Sequence, residues 1–278
     1  MTEAPSQPAP RIRAPQIRGP LTRQTWRAQD AVCLGCAPLL VATAIVARRG
    51  GIRSHRVMVG TLTWLAYCYA HLSFAVPFNS AFLIYVAILG LCGFGMLDGL
   101  LRVDVHALHP SFAGVPVRAA AWFLLVASVG VAGLWLSDIV PGLFGVPPAN
   151  LFLAGLPNPT WVLDLVWILP VCVAGAMMLL RDRAAGPVVA GVMLVMLALL
   201  SVCMLLVTPF ALAAGLWDDP VARPQLVAFT VVFAVLGGVQ LALLVVGGRR
   251  TTTPSVGWLR PGWWPEGVRS EDARSGTG

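Results

Sequence analysis

The feature that most constrains this chain is a succession of long apolar runs almost without charge. They lie at residues 31–47, 57–76, 79–101, 117–137, 161–180, 187–216 and 225–247. A helix crosses a hydrocarbon layer in about 20 residues at 1.5 Å per residue, and most of these runs reach that length. Barrel strands would alternate apolar and polar residues, whereas these runs are continuous. In hydrocarbon the remaining way to pair every backbone N–H and C=O within one segment is an α-helix. Composition agrees: 58% of the 278 residues are hydrophobic and 11% are charged, with a mean hydropathy of +0.80. A soluble domain carries about 25% charged residues. The expected fold class is therefore all-α, a polytopic transmembrane helical bundle of seven spans. Residues 1–29, rich in proline and arginine, read as a disordered tail, 30–248 as the transmembrane domain, and 249–278 as a disordered cytoplasmic tail.

The first run carries an alternative. At about 25 Å as a helix, 31–47 is at the lower limit for crossing, and it contains Pro38. If it dips in and returns, the chain has six spans plus a re-entrant segment.

Orientation is read from the basic residues, all nineteen of which are arginine. Arg48, Arg49, Arg53, Arg56, Arg102, Arg118, Arg181, Arg183, Arg249, Arg250, Arg260, Arg269 and Arg274 fall on one side of the runs. Among the intervening turns, the other side carries only Arg223. The thirteen mark the cytoplasmic side, so the C-terminus is expected there, with the chain in the cell membrane. Arginines confined to tails and loops suit anionic headgroups, and the net charge of +7 is not read as nucleic-acid binding. The expected partners are the bilayer and a small-molecule ligand. Arginine and alanine in place of lysine suggest a GC-rich bacterial genome.

Polar groups inside the runs are the best guide to chemistry, because hydrocarbon makes them costly. Trp64, Tyr67 and His71 fall at i, i+3 and i+7, on one helical face. Asn79 opens the third run and Tyr85 lies deeper in it. Asp164 sits one turn into the fifth run, flanked by Trp161 and Trp167. The four-residue turn between the second and third runs makes them antiparallel neighbours. With the fifth run beside them, Tyr67, His71, Asn79, Tyr85, Trp161 and Asp164 are expected to border an outward-facing polar pocket. Direct contact of His71 with Asp164 would form a base and its orienting acid. The plainer reading is polar glue between helices. The 138–160 loop, too apolar for bulk water and broken by prolines, is expected to lie on the membrane surface and cap that pocket.

Other polar features have simpler readings. Asp98 and Arg102, at i and i+4, form an interfacial ion pair. Asp104, His106 and His109 are too few and poorly spaced for a metal, and no metal site is expected. Cys33-x-x-Cys36 lacks the strand–helix setting of a redox pair. Gly95-x-x-x-Gly99 is a close-packing pattern, and Pro170 predicts a kink. Phosphate-loop and dinucleotide fingerprints are absent, so no cofactor is expected.

The stretches Tyr67-Cys68-Tyr69-Ala70 and Phe78-Asn79-Ser80-Ala81-Phe82-Leu83-Ile84-Tyr85, with Asp164-Leu165, Pro170 and Arg181-Asp182-Arg183, resemble a group of bacterial multi-spanning membrane proteins without an assigned activity. The likeness extends loosely over residues 31–247 and is sharp in the two short motifs, with Cys68 where the group often has asparagine. It implies the architecture and no activity. The functional expectation is a small-molecule binding or transport-related membrane protein. The alternatives are an intramembrane enzyme using His71 and Asp164, or a structural, partner-binding subunit.

Overall fold

A computed structural model describes residues 20–112, 116–146, 148 and 156–251. The described residues form helices α1 (Pro20–Arg48), α2 (Ile52–Ala75), α3 (Phe82–Leu101), the short α4 (Val105–Leu108), α5 (Val117–Leu143), α6 (Pro159–Leu163), α7 (Leu169–Leu180), α8 (Gly186–Ala213) and α9 (Ala222–Arg250). A π-helical turn over Asp164–Ile168 joins α6 to α7, so Pro159–Leu180 runs as one rod. Among the described residues six helices are long and apolar enough to cross a membrane: α1, α3, α5, the α6–α7 rod, α8 and α9. The described residues form an all-helical bundle of the multi-pass membrane kind.

Two expectations about the spans change. Residues 31–47 are neither short nor re-entrant, because they lie inside the unbroken 29-residue α1, and Pro38 is absorbed within it. Helix α1 also takes in residues 20–29, which the sequence reading gave to the tail; residues 1–19 and 252–278 lie outside the described residues. The helix that falls short of the composition of a span is α2, which carries Arg53, His55, Arg56, Thr61, Thr63 and His71 in 24 residues. Packing explains how α2 tolerates them. It is flanked by α1, α3 and α8. Its buried hydroxyls bond back along the helix, Thr61 Oγ1 donating to the Val57 carbonyl (2.8 Å) and Thr63 Oγ1 to that of Val59 (2.9 Å). His55 Nε2 donates to the Gly99 carbonyl of α3 at 2.9 Å. Burial by protein substitutes for an apolar exterior.

The bundle is organised around α8, whose spanning stretch is 50% buried against 6% for α9 and 11% for α3. Helix α8 touches α1, α2, α7 and α9, while α3 leans on α2 and α5 on α7. Small residues set the closest crossings. A Cβ on Gly60 would lie 2.5 Å from Val195 Cβ of α8, and one on Gly99 would lie 2.7 Å from Val59 Cγ2 of α2. Of the Gly95/Gly99 pair, Gly99 is therefore the close approach; Gly95 is in ordinary contact with Leu62 at 3.4 Å.

The ends that carry Arg53, Arg102, Arg183 and Arg250 gather at one end of the bundle, whereas Arg23 and Arg27 of α1 and Arg223 of α9 lie toward the other. Arg53 Nη2 donates to the Thr251 carbonyl at the end of α9 (3.0 Å), and His109 Nε2 pairs with Asp182 Oδ1 of the α7–α8 turn (3.2 Å). Val103, Leu108 and Phe112 make a small apolar cluster there with Ile52 and Val188. Arg102 Nε pairs with Asp98 Oδ1 at 2.6 Å, the expected i,i+4 bridge. Asp104 caps α4 by accepting from the N–H groups of His106 and Ala107. At the other end, α5 continues through Asp138 and Pro141 to Leu143, shortening the expected 138–160 loop; residues 147 and 149–155 of that loop lie outside the described residues.

Candidate functional site

The π-turn exists for a covalent reason. Pro170 has no N–H to donate back into the helix and its ring crowds the preceding turn. The chain answers by widening one turn: the Leu169 N–H reaches back five residues to the Asp164 carbonyl. Such wide turns recur at functional sites. Here the widened turn begins at the only carboxylate in the rod. The kink expected at Pro170 thus takes the form of a π-turn ahead of it.

Asp164 is 8% exposed and both its oxygens are engaged. Tyr67 Oη of α2 donates to Oδ1 at 2.8 Å, and Trp135 Nε1 of α5 donates to Oδ2 at 2.9 Å. Three helices therefore converge on one carboxyl group. Trp135 N–H can only donate, whereas a phenol can donate or accept. The Asp164–Tyr67 bond consequently survives either ionisation state: the phenol donates to a carboxylate and accepts from a carboxylic acid.

His71 lies one turn beyond Tyr67, its ring edge-on to the tyrosine with centroids 4.6 Å apart. Its Nδ1 is 3.0 Å from the Tyr67 carbonyl, and its Nε2 is 3.0 Å from Thr160 Oγ1. A carbonyl only accepts, so Nδ1 carries the proton, and in the neutral ring Nε2 accepts from the Thr160 hydroxyl. A second proton on Nε2 would reverse that bond without breaking it. Thr160 is set by the start of α6: Asn158 Oδ1 accepts from the Thr160 N–H at 3.0 Å, with Pro159 at the first helical position.

The structure keeps some expected site residues together and separates others. Tyr67, His71 and Asp164 form one cluster, with Trp64 stacked on Tyr67 at 6.2 Å and Trp161 buried one turn before Asp164. The direct contact of His71 with Asp164 is not made; Tyr67 stands between them, bonding to Asp164 through its hydroxyl and to His71 through its carbonyl. Asn79 is outside the cluster. Its Nδ2 donates to the Pro77 carbonyl (3.1 Å) and its Oδ1 accepts from the Ala81 N–H (2.9 Å), so it shapes the α2–α3 turn. Tyr85 is outside as well, its ring facing Tyr69 at 6.2 Å on the opposite side of α2.

Sequence reasoning missed Trp135 and Thr160. Trp135 left a signal, since an indole N–H inside an apolar run requires an acceptor. Thr160 left none, because only the arrival of α2 beside α6 gives its hydroxyl a histidine. Two indole donors in the site stay unpaired among the described residues: Nε1 of Trp64 and Nε1 of Trp161, both buried. The cavities beside Arg56 are not lined by the residues of this cluster. Among the described residues no group of three His, Cys, Asp or Glu side chains is arranged to hold a metal ion. No protein-family model, curated protein or solved structure is similar enough to match the chain.

Proposed function

We propose that this chain is a seven-span protein of the cell membrane with a cytoplasmic C-terminus, and that the Asp164 cluster is the binding site of a small molecule in a transport-related role. The observation that carries the reading is the pair of buried, unpaired indole N–H groups of Trp64 and Trp161 beside a fully bonded carboxylate. An unmet buried donor costs on the order of 1–3 kcal/mol, which a ligand offering acceptor atoms would recover. The ligand class is therefore small and rich in hydrogen-bond acceptors, matched to the donors of Trp64 and Trp161. Helix α2 is the seventh span, and the gathering of arginines at its start and at the ends of α3 and α9 supports the orientation.

The binding test is a thermal-stability screen of the detergent-solubilised protein against small, uncharged, acceptor-rich compounds. Compounds that raise the melting temperature of the wild type are expected to lose that effect in Trp161→Phe and Trp64→Phe, which remove only the donors. A screen in which every stabilising compound acts equally on all three proteins sinks the binding reading. For the topology, a C-terminal reporter active only outside the cytoplasm sinks the orientation.

The complete mutual satisfaction of Asp164, Tyr67, Trp135, His71 and Thr160 favours a second reading, a structural polar lock between α2, α5 and the α6–α7 rod. Under it, substitutions lower stability and no compound discriminates among the variants. The enzyme reading loses its geometric basis, since His71 and Asp164 share no hydrogen bond.

A further inference from the structure

At the arginine-rich end, Arg56 of α2 reaches across α8. Its aliphatic stem lies over Gly191, where a Cβ would collide with Arg56 Cδ, so the glycine is what admits the arm. Its Nε is buried and has no hydrogen-bond partner among the described residues. Neither of the two ion pairs among those residues involves it. Arg53, one turn before it on α2, is itself a cation and is turned toward the Thr251 carbonyl. A guanidinium is never deprotonated in a protein, and this one, half-buried with its Nε unpartnered, is placed to take an anion.

The setting shows what kind of anion fits. Helices α5 and α9 both rest against α8 but hardly meet each other, and they leave a groove floored by Ala190, Gly191 and Leu194. Its walls are apolar: Val117 and Ala120 on α5, Leu243 and Leu244 on α9. A cavity of about 30 Å³ opens beside Arg56, room for about two waters or a pair of phosphate oxygens. Arg118, Arg249 and Arg250 stand exposed at the ends of the flanking helices. A free anion would use the cations and leave the apolar walls uncovered. A molecule with an anionic head and hydrocarbon tails uses both, and basic pockets between spanning helices are the usual places for such lipids.

We propose that the groove between α5 and α9 binds one anionic phospholipid, its phosphate on the Arg56 guanidinium and its acyl chains along Leu194, Leu243 and Leu244. Arg56 supplies charge-assisted donors to the phosphate, and Gly191 supplies the space that holds the arm at the groove floor.

The test uses the full chain in phosphatidylcholine nanodiscs with a photoreactive phosphatidylglycerol bearing its reactive group on an acyl chain. Labelling is expected in the Leu243–Gly247 stretch of α9. Excess phosphatidylglycerol should compete it away, while the same concentration of inorganic phosphate should not. Arg56→Gln should cut labelling by at least about tenfold, the worth of a bond to a charged group. Gly191→Ala, which keeps the charge and displaces the arm, should do the same. If these variants fail to fold, the competition in the wild type still decides. Equal competition by inorganic phosphate would show a free-anion site and overturn the lipid. So would undiminished labelling in folded Arg56→Gln. A full-length variant with Glu266→Gln, Glu271→Gln and Asp272→Asn should label as the wild type does; a clear rise would mean that the C-terminal carboxylates fill the site, and would also overturn the proposal.

Discussion

Asp164 and Arg56 are both charged side chains carried into the same helical bundle, at opposite ends, and the bundle treats them in opposite ways. Asp164 meets two donors from two other helices, while Arg56 meets a glycine and aliphatic walls. The first group is provided for by neighbouring helices; the Nε of the second has no acceptor among the described residues. Charge content alone does not separate these cases, since each residue is one ionisable group in a long helix. What separates them is whether neighbouring helices present groups of the right sense at the same depth. A carboxylate takes its donors from aromatic side chains that an apolar helix carries easily, such as Tyr67 and Trp135. A guanidinium needs acceptors, and carboxylates are what a spanning helix carries least easily.

Removing Asp164 should produce the largest effect. Asp164→Ala orphans the Tyr67 hydroxyl and the Trp135 N–H, at about 1–3 kcal/mol each, so a loss of about 3 kcal/mol is expected. Reversible denaturation in mixed micelles measures it. A change below about 0.5 kcal/mol would mean that Asp164 is no better provided for than Arg56.

Removing Arg56 should act with the opposite sign. In neutral detergent without anionic lipid, Arg56→Met replaces a half-buried arginine, whose Nε has no partner among the described residues, by an apolar side chain of similar reach, and a gain of about 1 kcal/mol is expected. Added phosphatidylglycerol should stabilise the wild type and leave the variant unmoved. A loss of stability without lipid would show that the chain itself satisfies the arginine.

The internal wiring of the Asp164 cluster can be sharpened by double-mutant cycles. Tyr67→Phe with Asp164→Asn should show a coupling of about 1 kcal/mol, because the two share a bond; His71→Ala with Asp164→Asn should be nearly additive, because they share none. The reverse order of couplings would put His71, rather than Tyr67, against the carboxylate.

The smallest effect belongs to Asp219, in the turn that leads into α9. Its Oδ1 accepts from the N–H groups of Val221 (2.8 Å) and Ala222 (3.0 Å). The bonds from Ala222 and Val221 hold its carboxyl below the usual carboxylate value. A lowered folded-state value means that the contribution is complete above about pH 4 and fades as pH falls through that lowered value. The stability difference between wild type and Asp219→Asn should therefore be present at neutral pH and shrink on acidification. A difference that grew in acid would contradict the capping role.

Legibility in the sequence followed the range of the interactions. Hydropathy alone marked six helices that are now seen to be long and apolar enough to cross, because a span is a local property of about 20 residues. The Asp98–Arg102 bridge and the face shared by Trp64, Tyr67 and His71 were legible because i,i+3 and i,i+4 neighbours are fixed by helix geometry. The length of α1 was hidden because its first turns carry Arg23, Gln24 and Arg27, which read as a tail until α2 and α8 pack against the helix. The status of α2 was hidden for the complementary reason, its polar residues being excused by burial that only its neighbours supply.

What the sequence determined by itself is the class of molecule: a chain so apolar, in runs of this length, must bury its backbone polarity in helices and its surface in lipid. The tertiary structure decided which polar residues share a site. Tyr67, Trp135, Thr160 and Asp164 come from α2, α5 and the α6–α7 rod, and Arg56 comes to rest on Gly191 across a helix crossing. Such pairings depend on how far each helix is rotated and at what depth it crosses its neighbour. Those variables are set by the packing of small residues such as Gly60, Gly99 and Gly191, and no local pattern of residues encodes them.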